Sequence, residues 1–243
     1  MCAFVSCLAL TGVAGCAPRL PVYPWSGHEN ALRTITVRAR SIETMSARCR
    51  MVLSASDGET VQLDGAIVVK YPDHLRLRAW KFSRCVFDLT ITPDGKWLMD
   101  AGGDRRGDLA DLLSPTHSPT RVPIMTAWSL VQDPSALGGE PELVDADGRR
   151  FTVRYALDDG YMQCRIDRRT LTPIEYRFMG ADGRTAATIK LDAYRARRGA
   201  LWPTRMTIRS GERMIELRLS EVEINDELAE RAFDPPTGAI RRP

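Results

Sequence analysis

Residues 65–77 read GAIVVKYPDHLRL, and their side chains change face at every step. Gly65, Ile67, Val69 and Tyr71 share one parity, Ala66, Val68 and Lys70 the other. Pro72-Asp73 interrupts the run, after which Leu75, Leu77 and Ala79 alternate with Arg76, Arg78 and Trp80. A period of two with turn residues at its centre is the signature of paired antiparallel strands having one apolar face. Outward from this hairpin the period persists. Cys49, Met51 and Leu53 precede it, with Val61 and Leu63 leading in from the Ser56-Asp57-Gly58 turn. Val86 to Thr92 follow, closed by Pro93-Asp94-Gly95, and then a short strand around Trp97-Leu98-Met99. The first half is a five-strand meander.

Before it, Leu32, Ile35, Val37, Ala39, Ile42 and Met45 recur at mostly helical spacing, predicting one amphipathic helix from Glu29 to about Met45. After it, residues 105–114 and 121–132 read as short helices separated by Pro115 and Pro119, the second with a greasy face at Ile124, Met125, Trp128 and Leu130-Val131. Strands resume with Phe151, Val153, Tyr155 and Leu157, then Met162, Cys164 and Ile166, then Ile174, Tyr176 and Phe178. Ala187, Ile189 and Leu191 come next, followed by Met206 and Ile208. In the last strand Ile215, Leu217 and Leu219 share a parity that Val222 and Ile224 break, so a bulge is expected near Ser220-Glu221. Asn225 to Phe233 reads as a short closing turn or helix. The order contains no βαβ alternation, which excludes a parallel nucleotide-binding sheet. The fold class expected is mainly β (α+β): one large curved antiparallel sheet, with helices against its concave side.

The N-terminus carries a different kind of signal. Residues 3–15 (AFVSCLALTGVAG) are apolar, small-residue-rich and uncharged, like the core of a secretory signal. Val13-Ala14-Gly15-Cys16 resembles a bacterial lipobox: an aliphatic residue, two small residues, then a cysteine whose thiol takes a diacylglyceryl thioether. Cys7 fits less well, since Phe4 would hold the aliphatic position. The stretch before Cys16 has no Lys or Arg, unlike the usual positive opening of a signal. An ordinary signal peptide or a short buried apolar segment is the alternative. The organisation expected is a lipoprotein signal over 1–15, a lipid anchor and Pro-rich tether over 16–28, a barrel domain over 29–236 and a flexible tail over 237–243. No later run approaches the ~20 apolar residues of a spanning helix. Membrane attachment is therefore expected through lipidated Cys16, with the domain outside the cytoplasm. Ala17 stands where an Asp would retain some lipoproteins at the inner membrane, which leans towards the outer one.

Several pieces of the body resemble the superfamily of the lipoprotein-localisation factors LolA and LolB, which also holds acylated glycolipid carriers and periplasmic sigma-factor regulators. Residues 65–77 are similar to that fold's strand, Pro-Asp, Leu-Arg-Leu passage. Ile166-Asp167-Arg168-Arg169-Thr170-Leu171-Thr172-Pro173 is similar to one of its hairpins. Trp202-Pro203-Thr204-Arg205-Met206, then Leu217 to Asn225 and Phe233-Asp234-Pro235-Pro236, resemble its closing strands. The resemblance covers roughly residues 29–236. It implies an unclosed barrel of about eleven strands under a helical lid, with acyl chains of lipid or lipoprotein held in an apolar cavity. No residue-level functional motif transfers with it.

The cavity-lining candidates are Met51, Val69, Leu77, Trp128, Phe151, Met162, Ile189 and Met206, all strand or lid hydrophobes. Ordinary packed core explains each of them equally well, and periodicity does not say whether the space behind an apolar face is empty. A structural or regulatory lipoprotein with a filled barrel therefore stays open. Catalysis lacks a constellation: His28, His74 and His117 are scattered, and no GxSxG elbow or phosphate-cradling loop occurs. No catalytic residue, metal site or cofactor is expected. A net charge of +3 with interspersed signs argues against nucleic acid as a partner, and a monomer is expected.

Cys49, Cys85 and Cys164 are the cysteines of the expected domain. Cys49 and Cys164 have the apolar parity of their strands, whereas Cys85 follows Ser83-Arg84 near a strand junction. In a meander the first and fourth strands stand three spacings of ~4.8 Å apart, too far for a disulfide. Three free thiols are expected.

Intact mass spectrometry of the protein from a membrane extract should show a diacylglyceryl-modified Cys16 as the first residue, and Cys16→Ala should release the protein from the membrane fraction. An unmodified Cys16 in that extract would contradict the anchor.

Overall fold

The computed structural model describes residues 20–54, 58–100 and 124–242. The expected helix over 105–114 and the lipobox lie outside them. Helix α1 (His28–Arg40) opens the described chain, with Glu29 in its first turn and Arg38 and Arg40 in its last, charges that complement the helix dipole. It stops earlier than the apolar spacing predicts. The Asn225 side chain donates to the Ser41 carbonyl and accepts from the backbone N–H of Glu43 and Thr44, turning the chain into strand. Ile42 and Met45 are buried, but Met45 belongs to the sheet.

The first meander is β1 (Thr44–Ser54), β2 (Thr60–Lys70), β3 (His74–Lys81), β4 (Arg84–Thr92) and β5 (Gly95–Asp100). Helix α2 (Ile124–Gln132) and a single turn of 3-10 helix (Pro134–Leu137) follow. The second meander is β6 (Glu142–Ala146), β7 (Arg150–Leu157), β8 (Gly160–Asp167), β9 (Thr172–Gly180), β10 (Thr185–Arg197), β11 (Ala200–Ser210) and β12 (Arg213–Ile224). A short β13 (Ile240–Arg242) ends the described chain. The thirteen strands of the described residues form one antiparallel sheet, in the order β13-β5-β4-β3-β2-β1-β12-β11-β10-β9-β8-β7-β6. β13 and β6 are its two edges, so the sheet is not closed into a barrel.

Among the described residues the strands number thirteen rather than about eleven, because two short edge strands escape a periodicity reading. β6 is exposed along its whole length and shows no alternation. β13 has three residues, and they fall in the stretch read from sequence as tail.

The two meanders are fused by β1 and β12. Met45 pairs with Ile224, Cys49 with Leu219, Met51 with Leu217 and Leu53 with Ile215. The register slips between Ser46 and Arg48, which pair with Glu223 and Ser220. The extra β12 residue makes the bulge expected near Ser220-Glu221, with Glu221 at φ 50. It returns Ile224 to the core side after the parity of Leu217 and Leu219 has run out. One apolar face results, and its buried residues form a single core cluster shared by both meanders and both helices.

The opposite face of the first meander is covered by the chain that follows β12. Thr44 Oγ1 donates to the Asp226 carbonyl, Arg76 donates to the Ala232 carbonyl, and the Phe233 ring stands edge-on to His74 at 5.1 Å. Beneath this strap Asp88 is only 1% exposed. It is chelated by Arg76 through two bonds of 3.0 and 2.9 Å and approached by Arg78 at 3.0 Å, so the buried carboxylate is compensated. Beyond the strap, β13 pairs with β5 and covers an edge that would otherwise present free backbone groups.

The cysteines lie as their parity predicts. Cys49 and Cys164 are buried, Cys85 is partly exposed, and all three are free. Cys49 also fills the space left by Gly65, where a Cβ would stand 2.7 Å from its Sγ and 2.7 Å from the Arg78 carbonyl oxygen. Burial, reinforced by Asp64, pushes the Cys49 thiol up to about 12.

In a protein starting at residue 16 and carrying Cys16→Ala, thiol titration should find three thiols after denaturation, with Cys85 labelling first in the native state. Labelling of Cys49 or Cys164 as fast as Cys85 would contradict the packing. As pH rises past 9.0, the ordinary value, the unfolded chain loses the Cys49 proton before the folded chain does. Stability should therefore fall with rising pH between there and about 12, less steeply in Cys49→Ala.

Candidate functional site

The concave face is where the eight sequence candidates converge. Met51 (β1), Val69 (β2) and Leu77 (β3) come from the first meander. Phe151 (β7), Met162 (β8), Ile189 (β10) and Met206 (β11) come from the second. Trp128 comes from α2. All belong to one core cluster, and each is at most 1% exposed. They are closed off from solvent, so in this conformation their side chains pack against neighbours rather than line an open space.

Helix α2 is held to both halves of the sheet. From the first half, Tyr71 donates its phenol to the Trp128 carbonyl at 3.4 Å. From the second, Tyr176 donates to the Leu130 carbonyl at 2.6 Å. Leu130 is among the last four residues of the helix, whose carbonyls have no partner within it, so Tyr176 acts as a C-terminal cap. Burial pushes both phenols well above the ordinary tyrosine range, so both remain neutral donors at any physiological pH. The Trp128 indole stacks on Trp202 of β11, with centroids 6.1 Å apart and planes 16° from parallel. Near the helix end, Asp133 accepts from Ser135 N–H at 2.9 Å and from the Thr36 hydroxyl of α1 at 3.2 Å. Arg38 of α1 donates to the Leu171 carbonyl at 2.5 Å, which ties the first helix to the turn between β8 and β9.

Three buried donors at this helix are unpaired: Trp128 Nε1, Gln132 Nε2 and Trp202 Nε1. Each such group costs about 1–3 kcal/mol relative to a paired one. Sequence reading selected Trp128 but neither of the others. Gln132 carried a usable signal, a polar amide ending the apolar run Ala127-Trp128-Ser129-Leu130-Val131.

The segment preceding α1 is also bound. Tyr23 N–H donates to the Arg169 carbonyl at 2.9 Å, the Trp25 ring lies 5.2 Å from Phe151, and Arg168 stands over Trp25 at 4.0 Å. At the tip between β3 and β4, Phe82 is 92% exposed on a tight turn with φ 51, followed by Ser83 at φ 62. Among the described residues no cluster of His, Cys, Asp or Glu is placed to hold a metal. Nor is any described helix long and apolar enough to cross a membrane.

The chain matches no family model and no curated protein sequence. Its architecture does match solved structures. A LolA superfamily protein from Nitrosomonas europaea is 12% identical, superposes with a TM-score of 0.56, and covers 83% of this chain and 96% of its own. A putative outer membrane lipoprotein-sorting protein domain from Vibrio parahaemolyticus is 12% identical with a TM-score of 0.60, covering 84% and 95%. A DUF1329 family protein from Desulfovibrio piger is 10% identical with a TM-score of 0.60, covering 84% and 96%. The fold is LolA/LolB-like, as residues 65–77 and the closing strands suggest.

Tyr176→Phe should lower stability to urea by about 1–3 kcal/mol, because it strips a buried helix-terminal carbonyl of its donor. Tyr71→Phe, which removes a 3.4 Å bond, should lower it less. Equal losses would show that these bonds do not govern how α2 is held.

Proposed function

We propose that this protein is a membrane-tethered, non-catalytic binder of acyl chains, from lipid or lipoprotein, working outside the cytoplasm as a monomer anchored through Cys16. The observation that carries the reading is the concave face. One continuous apolar surface, drawn from both meanders of an unclosed sheet, is covered by a short helix fastened through a few polar bonds. An acyl chain gains most of its affinity from such burial, about 25 cal/mol for each Å² removed from water. Since the eight lining candidates are barely exposed, a chain reaches them by displacing α2. Met51, Met162 and Met206 suit that exchange, because unbranched thioether side chains repack around different shapes. Proteins with this fold include one described as a lipoprotein-sorting domain, which agrees with the reading. Ala17 favours the outer membrane as the site of anchoring.

Phe82 supplies a second membrane contact. A large apolar ring at a hairpin tip, flanked by Lys81 and Arg84, is suited to enter an anionic interface while the cations stay with the headgroups.

The same low exposure favours a second reading, a structural or regulatory lipoprotein whose interior is filled by its own side chains. Native mass spectrometry separates the two. The Cys16→Ala chain purified from its own host should carry lipid, and Met51→Lys or Trp128→Glu should lose it while the circular dichroism spectrum is kept. Lipid-free protein in every preparation supports the filled interior. On phosphatidylglycerol vesicles, Phe82→Glu should weaken binding several-fold at unchanged melting temperature.

A further inference from the structure

The three unpaired donors at α2 are not scattered. Trp128 and Gln132 are four residues apart on the helix and so neighbours on one of its faces. Trp202 stacks on Trp128 from the sheet. The two indoles are fully buried and Gln132 is 8% exposed. Native interiors pair the large majority of such groups, and an unpaired one calls for an explanation. Three on adjoining side chains call for a common one: the patch offers N–H groups and lacks an acceptor.

The chemistry of the missing acceptor follows from its surroundings. The donors are neutral, and the cations that border the space beside Trp202, Arg195 and Arg197, are themselves exposed to solvent. An anionic headgroup would find its countercharge at the exposed rim, at Arg195 and Arg197, rather than among the buried donors. A bare hydrocarbon would leave all three donors unpaired. A hydroxyl could accept from these donors but would bring its own O–H into a patch that lacks an acceptor. A neutral carbonyl oxygen at the end of a hydrocarbon chain meets every requirement.

We propose that Trp128, Gln132 and Trp202 form the carbonyl end of the acyl site, receiving the ester or amide oxygen of an O-acylated or N-acylated ligand. This inference rests on the acyl-binding reading above and narrows its ligand to acyl esters and amides. The competing occupant is water: a space of about 30 Å³ beside Trp202, bordered by Thr204 and Leu219 and by the charged Arg195, Arg197 and Glu221, has room for one molecule.

The test titrates the delipidated full chain carrying Cys16→Ala with methyl palmitate, N-methylpalmitamide, hexadecane and palmitate, in competition with a fluorescent acyl probe. After correction for aqueous solubility, the ester and the amide should bind about tenfold more tightly than hexadecane, the worth of roughly one buried hydrogen bond. The carbonyl stretch of bound ¹³C-labelled methyl palmitate should shift to lower wavenumber. Trp128→Phe, Gln132→Leu and Trp202→Phe combined should abolish both the preference and the shift while the affinity for hexadecane is kept. Gln132→Leu alone should reduce the preference. Whichever of ester and amide binds more tightly identifies a glycerolipid or an N-acyl source. Equal affinity for hexadecane and methyl palmitate overturns the carbonyl site and leaves the acyl reading standing. Binding of none of the four overturns both. Tighter binding of palmitate than of the ester overturns it in favour of a carboxylate site. An ester preference left intact by the triple substitution shows that the donors do not receive the carbonyl and overturns it as well.

Discussion

A sheet of this width has one apolar face too large to be left in water, and keeping that face covered is the condition on which the rest of the structure depends. Buried residues of both meanders belong to a single cluster that also takes in the two helices. Each helix adds buried side chains to the core, Ile35 from α1 and Trp128, Leu130 and Val131 from α2, and polar bonds near its ends fix its place. Tyr176 caps α2, Asp133 connects α2 to α1, and Arg38 secures α1 to the turn between β8 and β9. This is a cover held at its margins, over an interior in which only weakly directional contacts operate.

The two faces of the sheet solve opposite problems. On the concave side hydrophobic burial is abundant and hydrogen bonding is scarce, which is why the unpaired indoles and the Gln132 amide stand out there. On the convex side charge is abundant. There the strap following β12 turns an arginine-carboxylate cluster at Asp88 into a buried, mutually satisfied group. The strap is held by carbonyls accepting from Thr44 and Arg76, by the Phe233 ring against His74 and by the edge pairing of β13.

Much of this was legible in the sequence because it was written in period two. The ten long strands from β1 to β4 and β7 to β12 each carry an alternating apolar face, and even the bulge at Glu221 announced itself by a broken parity. What escaped reading lacked that signature. β6 is an exposed edge with no inner face, and β13 is defined by the partner it covers rather than by its own side chains. The end of α1 was misplaced because Ile42 and Met45 are apolar at helical spacing, while the device that ends the helix is Asn225, far away in sequence. The site was legible only by face: parity selected the residues that share the concavity, but the packing that leaves them barely exposed is a property of three dimensions. So is the meeting of Trp202 with Trp128, which no spacing rule links.

The seam between β1 and β12 joins residues 44–54 to residues 213–224. Each meander is assembled from strands adjacent in sequence, so either can form as soon as it has been made. The seam cannot. A chain delivered N-terminus first holds β1 with one bare edge, lined by Met45, Cys49, Met51 and Leu53, until β12 arrives. Pairings of such long range are slow to form, and a bare apolar edge recruits other chains while it waits. The native sheet is thus decided late, by the last long strand, and a product cut short before residue 213 is left as two half-sheets with a raw edge between them.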